Sequence, residues 1–306
     1  MSTDFLLHLT ILIGIFLVLT LSAHLIIGEA GQLSLAQAGF FAVGAYSAAI
    51  LTQISPQYFP FGILIGMILG GGLGALLGIP AARIGADYLA IATLAAGEII
   101  RSAANVWSLT GASFGLAIPS PEILGVPLAG KVPYFTLVWA VVLAVIGYLV
   151  WLRRRRSGLA FNAVREDQTA ASAMGYRVPW LKIVAFSASG TIGALAGSLY
   201  AGYMLYIDSR VFSAALAINI LVIVVLGGLG SILGASLGTA VFVLLPEVLS
   251  QFASWRDVIY GAALVVVMLV RPRGLIPERR PRVRLERDNG ELETASATQT
   301  GASSNG

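Results

Sequence analysis

One short run of the sequence nearly spells a nucleotide-binding loop. Residues 125–132 read G-V-P-L-A-G-K-V, with the glycines and the lysine that surround phosphate groups in a P-loop. The motif needs serine or threonine directly after the lysine to bind magnesium, and this chain has Val132 there. Pro127 and Pro133 also disfavour the regular strand and helix that flank such a loop. The sequence therefore predicts no nucleotide site and no enzymatic activity.

Polar side chains inside apolar segments are the other candidates, because they are costly in a membrane and so mark functional sites. They are Gln32, Ser34, Gln37, Tyr46, Glu98, Arg101, Asn105 and Asn219. Glu98 and Arg101 stand three residues apart, which on a helix allows an ion pair. A pair that holds helices together is the favoured interpretation, and a place on a solute pathway is the alternative. For Gln37 and Asn219 the two interpretations are equally supported.

The chain lacks the usual residues of metal and redox sites. It contains no cysteine, which excludes disulfides and thiolate metal sites. Its two histidines, His8 and His24, do not stand in a metal-ligand spacing. We expect no metal and no cofactor.

The composition indicates a helical protein that crosses a membrane many times. Of 306 residues, 57% are hydrophobic and 11% are charged, whereas a soluble domain has about 25% charged residues. A spanning helix needs about 20 apolar residues, and nine segments approach or reach that length. They lie near 5–27, 33–53, 61–83, 87–107, 134–152, 182–203, 213–227, 231–250 and 257–270. The predicted fold class is all-α, a polytopic domain over residues 1–280 with about 8–10 transmembrane helices.

The distribution of basic residues predicts how the chain is oriented. If residues 153–181 are cytoplasmic and the segments alternate, fifteen basic residues fall inside and three outside, with Arg101 in the membrane. Cytoplasmic loops carry such an excess. We therefore expect the N-terminus outside and the C-terminus in the cytoplasm. Residues 281–306 have few apolar side chains and predict a disordered cytoplasmic tail.

Glycine spacing predicts how the helices pack. In the third segment a glycine recurs every fourth residue, at Gly62, Gly66, Gly70, Gly74 and Gly78. Such spacing forms a groove along one helix face, where a second backbone can approach closely. Gly193, Gly197 and Ala201 repeat the pattern, as do Gly230, Gly234 and Gly238. Helix packing is the favoured role of these residues.

The basic loop 153–181 predicts one short amphipathic helix. Asn162 is a suitable N-cap, and Gly175 is suited to end the helix in a left-handed conformation. One face would carry small apolar side chains, from Ala163, Val164, Ala170, Ala171 and Met174. These side chains would bury little area in lipid, so docking to a protein is favoured over binding to the membrane surface.

Five stretches of the sequence resemble the branched-chain amino acid ABC transporter permeases. They are G-Q-L-S-L-A-Q-A-G-F-F-A-V-G-A-Y at 31–46, D-Y-L-A-I-A-T-L-A-A-G-E-I-I-R at 87–101, L-T-G-A-S-F-G-L at 109–116, L-G-G-L-G-S-I-L-G-A at 226–235 and R-P-R-G-L at 271–275. In addition, Ala170, Ala171 and Gly175 match the EAA…G motif of ABC importer loops, with Thr169 in place of the glutamate. The resemblance extends in order to about residue 280, and among the paired permease types it is closest to the longer one.

The resemblance implies a type II-like importer permease of a bacterial inner membrane. Its partners would be a second related permease, two ABC ATPase subunits and an extracytoplasmic solute-binding protein, with membrane lipid around it and no nucleic acid. Residues of the coupling helix, which meets the ATPase, would include Arg165, Glu166, Ala170, Ala171 and Gly175. Candidates for the translocation pathway would be Gln32, Ser34, Gln37, Tyr46, Glu98, Asn105 and Asn219.

Two functions remain open beside an importer subunit. An ion-coupled secondary transporter of a small polar solute would need buried carboxylates, and the segments offer mainly Glu98, next to Arg101. A scaffold without transport would leave the amphipathic loop unexplained. Within the importer interpretation the solute stays open, among branched-chain amino acids, other amino acids, urea and short amides.

Overall fold

The computed structural model describes residues 3–123, 126–128 and 130–248, together with Gly261 and Ile276. The predicted segment 257–270 and the predicted tail 281–306 lie outside the described residues, apart from Gly261. The α-helices are α1 Thr3–His24, α2 Gln37–Ile54, α3 Phe59–Ala81, α4 Ala86–Val106, α5 Lys131–Arg154, α6 Arg156–Glu166, α7 Gln168–Ala173, α8 Val178–Met204, α9 Ala214–Gly227 and α10 Ile232–Val248. A π-helical turn, Leu25–Glu29, extends α1. Short 3₁₀ turns occupy Pro56–Tyr58, Ser108–Thr110, Ala112–Phe114 and Ser209–Phe212.

Each of the first eight predicted segments coincides with one helix, which confirms the all-α fold class. Five of these helices are long and apolar enough to cross a membrane, and α9 is short at 14 residues, as the sequence predicts. The 18-residue α2 is not among the five, although most of its residues are buried within the protein. A helix surrounded by other helices needs little lipid-facing apolar surface, so its composition can be less hydrophobic.

Helix α8 is the centre of the bundle and packs against α1, α2 and α3. Its contact with α3 follows the glycine series of α3, all five members of which are buried. A methyl group on Gly78 would lie 2.7 Å from the Ile183 Cα atom, and one on Gly70 would lie 2.5 Å from the Gly190 carbonyl oxygen. Gly66 and Gly62 approach α2 in the same way, at Gly44 and Ala48. The helices therefore meet backbone to backbone along nearly the whole of α3.

Contacts between distant segments define two ends of the bundle. At one end, here called the basic end, the connections 25–36, 81–86, 153–178 and 228–231 come together. Lys182 donates there to the Ala81 carbonyl at 3.0 Å, and Arg153 donates to the Gly230 carbonyl at 2.5 Å. The backbone N–H of Ile276 donates to the Gly227 carbonyl at 3.2 Å, so the chain has returned to this end by residue 276.

The opposite end, here called the hairpin end, holds the other connections within the described ranges. Strand β1, Leu116–Ala117, pairs antiparallel with β4, Tyr206–Ile207. Strands β2, Glu122–Ile123, and β3, Val126–Pro127, form a second antiparallel pair. Lys131 donates to the Asp4 carbonyl at 3.2 Å, which joins the starts of α5 and α1.

The structure corrects two details of the predicted elements. The loop holds two helices rather than one, because Asp167 adopts an extended backbone and its side chain accepts hydrogen bonds from Thr169 N and Ala170 N. Asp167 is therefore the N-cap of α7, and Asn162 lies inside α6. Gly175 has a positive φ of 87°, as predicted for the residue that ends the helix. Gln32 and Ser34 were expected in the second segment but lie in the irregular stretch 31–36 ahead of α2.

Candidate functional site

Gln37 forms the hydrogen-bonded centre of three helices. It lies at the start of α2 and is 1% exposed. Its side-chain oxygen accepts from the Ser22 hydroxyl of α1 at 2.6 Å, and its amide donates to the Ser189 hydroxyl of α8 at 3.2 Å. Ser189 in turn donates to the Ser22 carbonyl at 2.7 Å. Both polar atoms of this buried amide are thus bonded within the protein, as is usual for buried polar groups.

Gln32 and Ser34 shape the connection from α1 to α2. Both are buried, at 2% and 1% exposed. Gln32 donates through its side chain to the carbonyls of Ala30 and Gly31, and the Ser34 hydroxyl accepts from Ala36 N at 3.3 Å. Backbone outside a regular helix needs such partners where it is buried, because its N–H and C=O groups would otherwise lack hydrogen bonds. Both side chains therefore form hydrogen bonds with the backbone of the connection itself.

Glu98 and Asn105 meet the segment that leads into α9 at the hairpin end. Glu98 forms the predicted pair with Arg101 at 2.6 Å, and its other carboxylate oxygen accepts from Ala214 N at 2.9 Å. Asn105 accepts from the Ser209 hydroxyl at 3.0 Å. Glu98 therefore also bonds the first N–H of α9, where the helix dipole favours a carboxylate.

Tyr46 lines an apolar cavity between α2, α3 and α4. The cavity has a volume of about 420 Å³, and its wall also includes Val43, Ile50, Leu69, Ile100 and Trp107. The Tyr46 ring packs on Phe212, with the ring centroids 5.5 Å apart. Its hydroxyl is buried and has no hydrogen-bond partner among the described residues. The wall also includes the hydroxyl-bearing residues Ser47 and Thr110, so the cavity is mainly apolar, and its size suits a small aliphatic molecule.

The predicted pathway residues are thus distributed over several places in the fold. Gln32, Ser34 and Gln37 lie toward the basic end, whereas Tyr46, Glu98 and Asn105 lie toward the hairpin end. Asn219 is half-buried in α9 and has no side-chain hydrogen bond to the described residues. The structure therefore brings the candidates into two groups and leaves Asn219 apart.

Some of the predicted coupling residues in the loop 153–178 are covered by the chain itself, and others are exposed. Ala171 is 1% exposed and packs with Val164 and Val178, so this part of the small apolar face is covered by the chain itself. Glu166, Ala170 and Gly175 are exposed. Arg165 is half-buried, and its guanidinium donates to the Leu229 carbonyl at 3.5 Å.

A buried charged cluster at the basic end escaped the sequence analysis. Glu29, at 3% exposed, forms an ion pair with Arg153 and lies 3.4 Å from the Nε2 atom of His24. The signal in the sequence was an acidic residue at the end of the first apolar segment. Its partner lies 124 residues further along the chain, so no local pattern connects the two. The described residues contain no group of histidine, cysteine, aspartate and glutamate suited to hold a metal ion.

Comparisons with known proteins agree on one family. Residues 5–268 match the family described as branched-chain amino acid transport system, permease component. A high-affinity branched-chain amino acid transport system permease protein LivM from Salmonella typhimurium is 31% identical, over 92% of this chain and 72% of the relative. A probable LivM of Methanocaldococcus jannaschii is 24% identical over 91% of this chain and 95% of the relative. The autoinducer 2 import system permease protein LsrC of Escherichia coli is 29% identical over 68% and 60%. No solved structure matches the chain.

Proposed function

This chain belongs to the branched-chain amino acid transport permease family, and from that premise we propose that it is a permease subunit of an ATP-binding-cassette importer. It would form half of a translocation pathway for branched-chain or related amino acids. The other half would come from a second related permease, with two ATPase subunits on one face and a solute-binding protein on the other. The observation that carries this proposal is the match to the permease family over residues 5–268.

The basic end is proposed to face the cytoplasm. Most basic side chains of the described residues lie there, at Arg83, Arg153, Arg154, Arg155, Arg156, Arg165, Arg177 and Lys182, against Lys131 and Arg210 at the hairpin end. An excess of this size is typical of cytoplasmic loops. The hydrogen bond from Ile276 to Gly227 supports a cytoplasmic C-terminus, because it returns the chain to the basic end. The hairpin end would then meet the solute-binding protein.

The exposed side of α6 and α7 is proposed to dock on an ATPase subunit. Glu166, Ala170, Met174 and Gly175 present a surface of small and charged groups, and Met174 is 75% exposed. Ala171 is buried beneath this surface, where it packs against Val164 and Val178. Small side chains allow a close fit into a cleft of a partner, which favours a protein rather than lipid as the occupant.

Tyr46 is proposed as the pathway residue closest to an aliphatic solute. Its hydroxyl has no partner among the described residues, and the cavity that it lines is otherwise almost wholly apolar. Gln37 and Glu98 have both of their side-chain polar atoms bonded within the protein, and the Asn105 side-chain oxygen accepts from the Ser209 hydroxyl. They are therefore proposed to fix the helices around the pathway.

Substitutions in the loop test the docking surface. Ala170→Arg adds charge and bulk at an exposed position, so the chain should stay folded in the membrane while the ATPases no longer copurify with it. Gln57→Arg is the matched control, because Gln57 is also exposed but lies at the hairpin end.

Ala171→Arg and Gly175→Pro should abolish uptake with the protein still in the membrane. The first would disrupt the packing of Ala171, and the second is incompatible with the φ of 87°. Undiminished uptake in these two variants would contradict the assignment.

Purification tests the subunit composition. The tagged chain, extracted in a gentle detergent and examined by mass spectrometry, should carry two ABC ATPases and a second permease. A chain that purifies alone and still moves labelled leucine in liposomes without ATP would instead be an ion-coupled transporter.

A further inference from the structure

The cluster around Glu29 joins three segments of the chain at the basic end. Arg153, in the last turn of α5, forms an ion pair with Glu29 of the π turn. The same guanidinium lies 3.1 Å from the Nε2 atom of His24 and donates to the Gly230 carbonyl at 2.5 Å. One arginine side chain therefore ties the end of α5 to the end of α1 and to the turn between α9 and α10.

A second arginine repeats these connections from the loop itself. Arg165 of α6 packs against Gly31, where an added methyl group would lie 3.1 Å from the Arg165 Cα atom. Its guanidinium donates to the Leu229 carbonyl at 3.5 Å. The loop 153–178 is thus held at two places, each time to the α1–α2 connection and to the α9–α10 turn.

Burying the charged and polar groups of this cluster costs folding free energy, which a purely structural contact would not need. Glu29 and His24 are 3% and 0% exposed, and the His24 Nδ1 atom is buried without a partner among the described residues. Buried ion pairs are often no more stable than well-packed apolar groups, and an unpaired buried polar atom adds to the cost. The π-helical backbone that carries Glu29 is itself rare and is frequently found at functional sites.

We propose that Glu29 with Arg153, and Gly31 with Arg165, form a clamp that carries movement of the loop 153–178 into the bundle. The clamp residues are positioning residues for coupling, and this role depends on the importer function proposed above. Movement of the loop would reach the stretch 31–36 and the start of α2, which follows it directly. It would also reach the turn that joins α9 and α10.

Glu29→Gln tests the clamp in the assembled importer, reconstituted with its ATPases and binding protein and supplied with labelled leucine. The side chain keeps its size but loses its charge, so the hold on Arg153 weakens. We expect the ATP hydrolysed per leucine imported to rise by about tenfold, within the usual range of coupling between sites. Arg153→Lys should also raise the ratio of ATP to leucine. The single ammonium group of lysine cannot replace the planar guanidinium that bonds Glu29 and the Gly230 carbonyl together.

Arg154→Gln is the control for the neighbouring Arg153→Gln. Both remove one positive charge from the same run of arginines, but Arg154 is exposed and has no hydrogen bond or ion pair to Glu29 or His24 in the described part of the chain. Only Arg153→Gln should change the ratio of ATP to leucine. If the variants lose thermal stability and uptake together, while the remaining folded importer keeps the wild-type ratio, the cluster is structural and the clamp is wrong.

A disulfide gives an independent test, because the chain has no cysteine of its own. A Cβ atom at Gly31 would lie 3.2 Å from the Arg165 Cβ atom, a few tenths below the usual range of about 3.5–4.5 Å. The double variant Gly31→Cys with Arg165→Cys should couple poorly when reduced and recover the lower ATP-to-leucine ratio when oxidised. Wild-type importer that is oxidised and reduced in the same way shows any effect of cysteines in the partner subunits. Arrest of uptake on oxidation would mean that the loop moves relative to residue 31, which contradicts the clamp.

The two proposals fail in different ways. Absence of ATP-dependent uptake by the wild-type assembly would contradict the importer function. Wild-type coupling that persists unchanged in Glu29→Gln would contradict the clamp alone.

Discussion

Replacing Gly70 by alanine would insert a methyl group between α3 and α8. The new Cβ atom would lie 2.5 Å from the Gly190 carbonyl oxygen and 2.5 Å from the Ala194 Cβ atom, whereas ordinary van der Waals contact begins near 3.4 Å. Each contact is thus 0.9 Å too short, and one of them is with rigid backbone. Helix α8 must move away, which also opens the seam at Gly74 and Gly78. Overpacking of this kind costs about 1–3 kcal/mol.

Gly72 provides the matched control on the same helix. It is exposed, and a methyl group there meets no other atom within 4 Å. Both substitutions gain the same helix propensity, up to about 1 kcal/mol, so the difference between them isolates the steric cost. Thermal unfolding of the purified chains in detergent should give Gly70→Ala a clearly lower Tm than Gly72→Ala, on the order of 2–4 °C for each kcal/mol. Equal Tm values for the two variants would refute the close packing of α3 on α8.

Three further substitutions separate packing from transport, each measured by Tm and by uptake per folded protein. Gln37→Leu removes two buried hydrogen bonds, which costs about 1–3 kcal/mol of folding free energy, so the Tm should fall. The protein that remains folded should still take up leucine. Lost uptake at an unchanged Tm would instead place Gln37 on the pathway. Glu98→Gln keeps an acceptor for Ala214 N and removes a partly exposed ion pair, so both Tm and uptake should change little; a selective fall in uptake would reverse that assignment. Tyr46→Phe removes a buried hydroxyl that has no hydrogen-bond partner among the described residues, so the Tm should be unchanged or higher. Leucine uptake should fall. Uptake at the wild-type rate would exclude Tyr46 from the pathway.

The loop 153–178 shows where local sequence signals reach their limit. The positive φ of Gly175 was predictable, because a glycine after a helical pattern is the usual terminator. The break at Asp167 was not predicted, since two capping residues, Asn162 and Asp167, compete within six positions. Asp167 bonds two N–H groups of the following turn, whereas Asn162 is absorbed into α6. The burial of Ala171 also depends on Val178, beyond the predicted helix.

The sequence by itself determined the features that come from local composition and spacing: the helices, their approximate bounds, the glycine face of α3 and the Glu98–Arg101 pair. These rest on physics that acts within a few turns of helix, namely apolar length, the four-residue repeat and an i, i+3 contact. Only the tertiary structure decided which polar groups are already satisfied and which helix faces meet. Glu29 and Arg153 lie 124 residues apart in sequence and are paired because α1 and α5 end at the same level of the bundle. No periodicity along one chain can show such a pair, since it depends on how separate helices align.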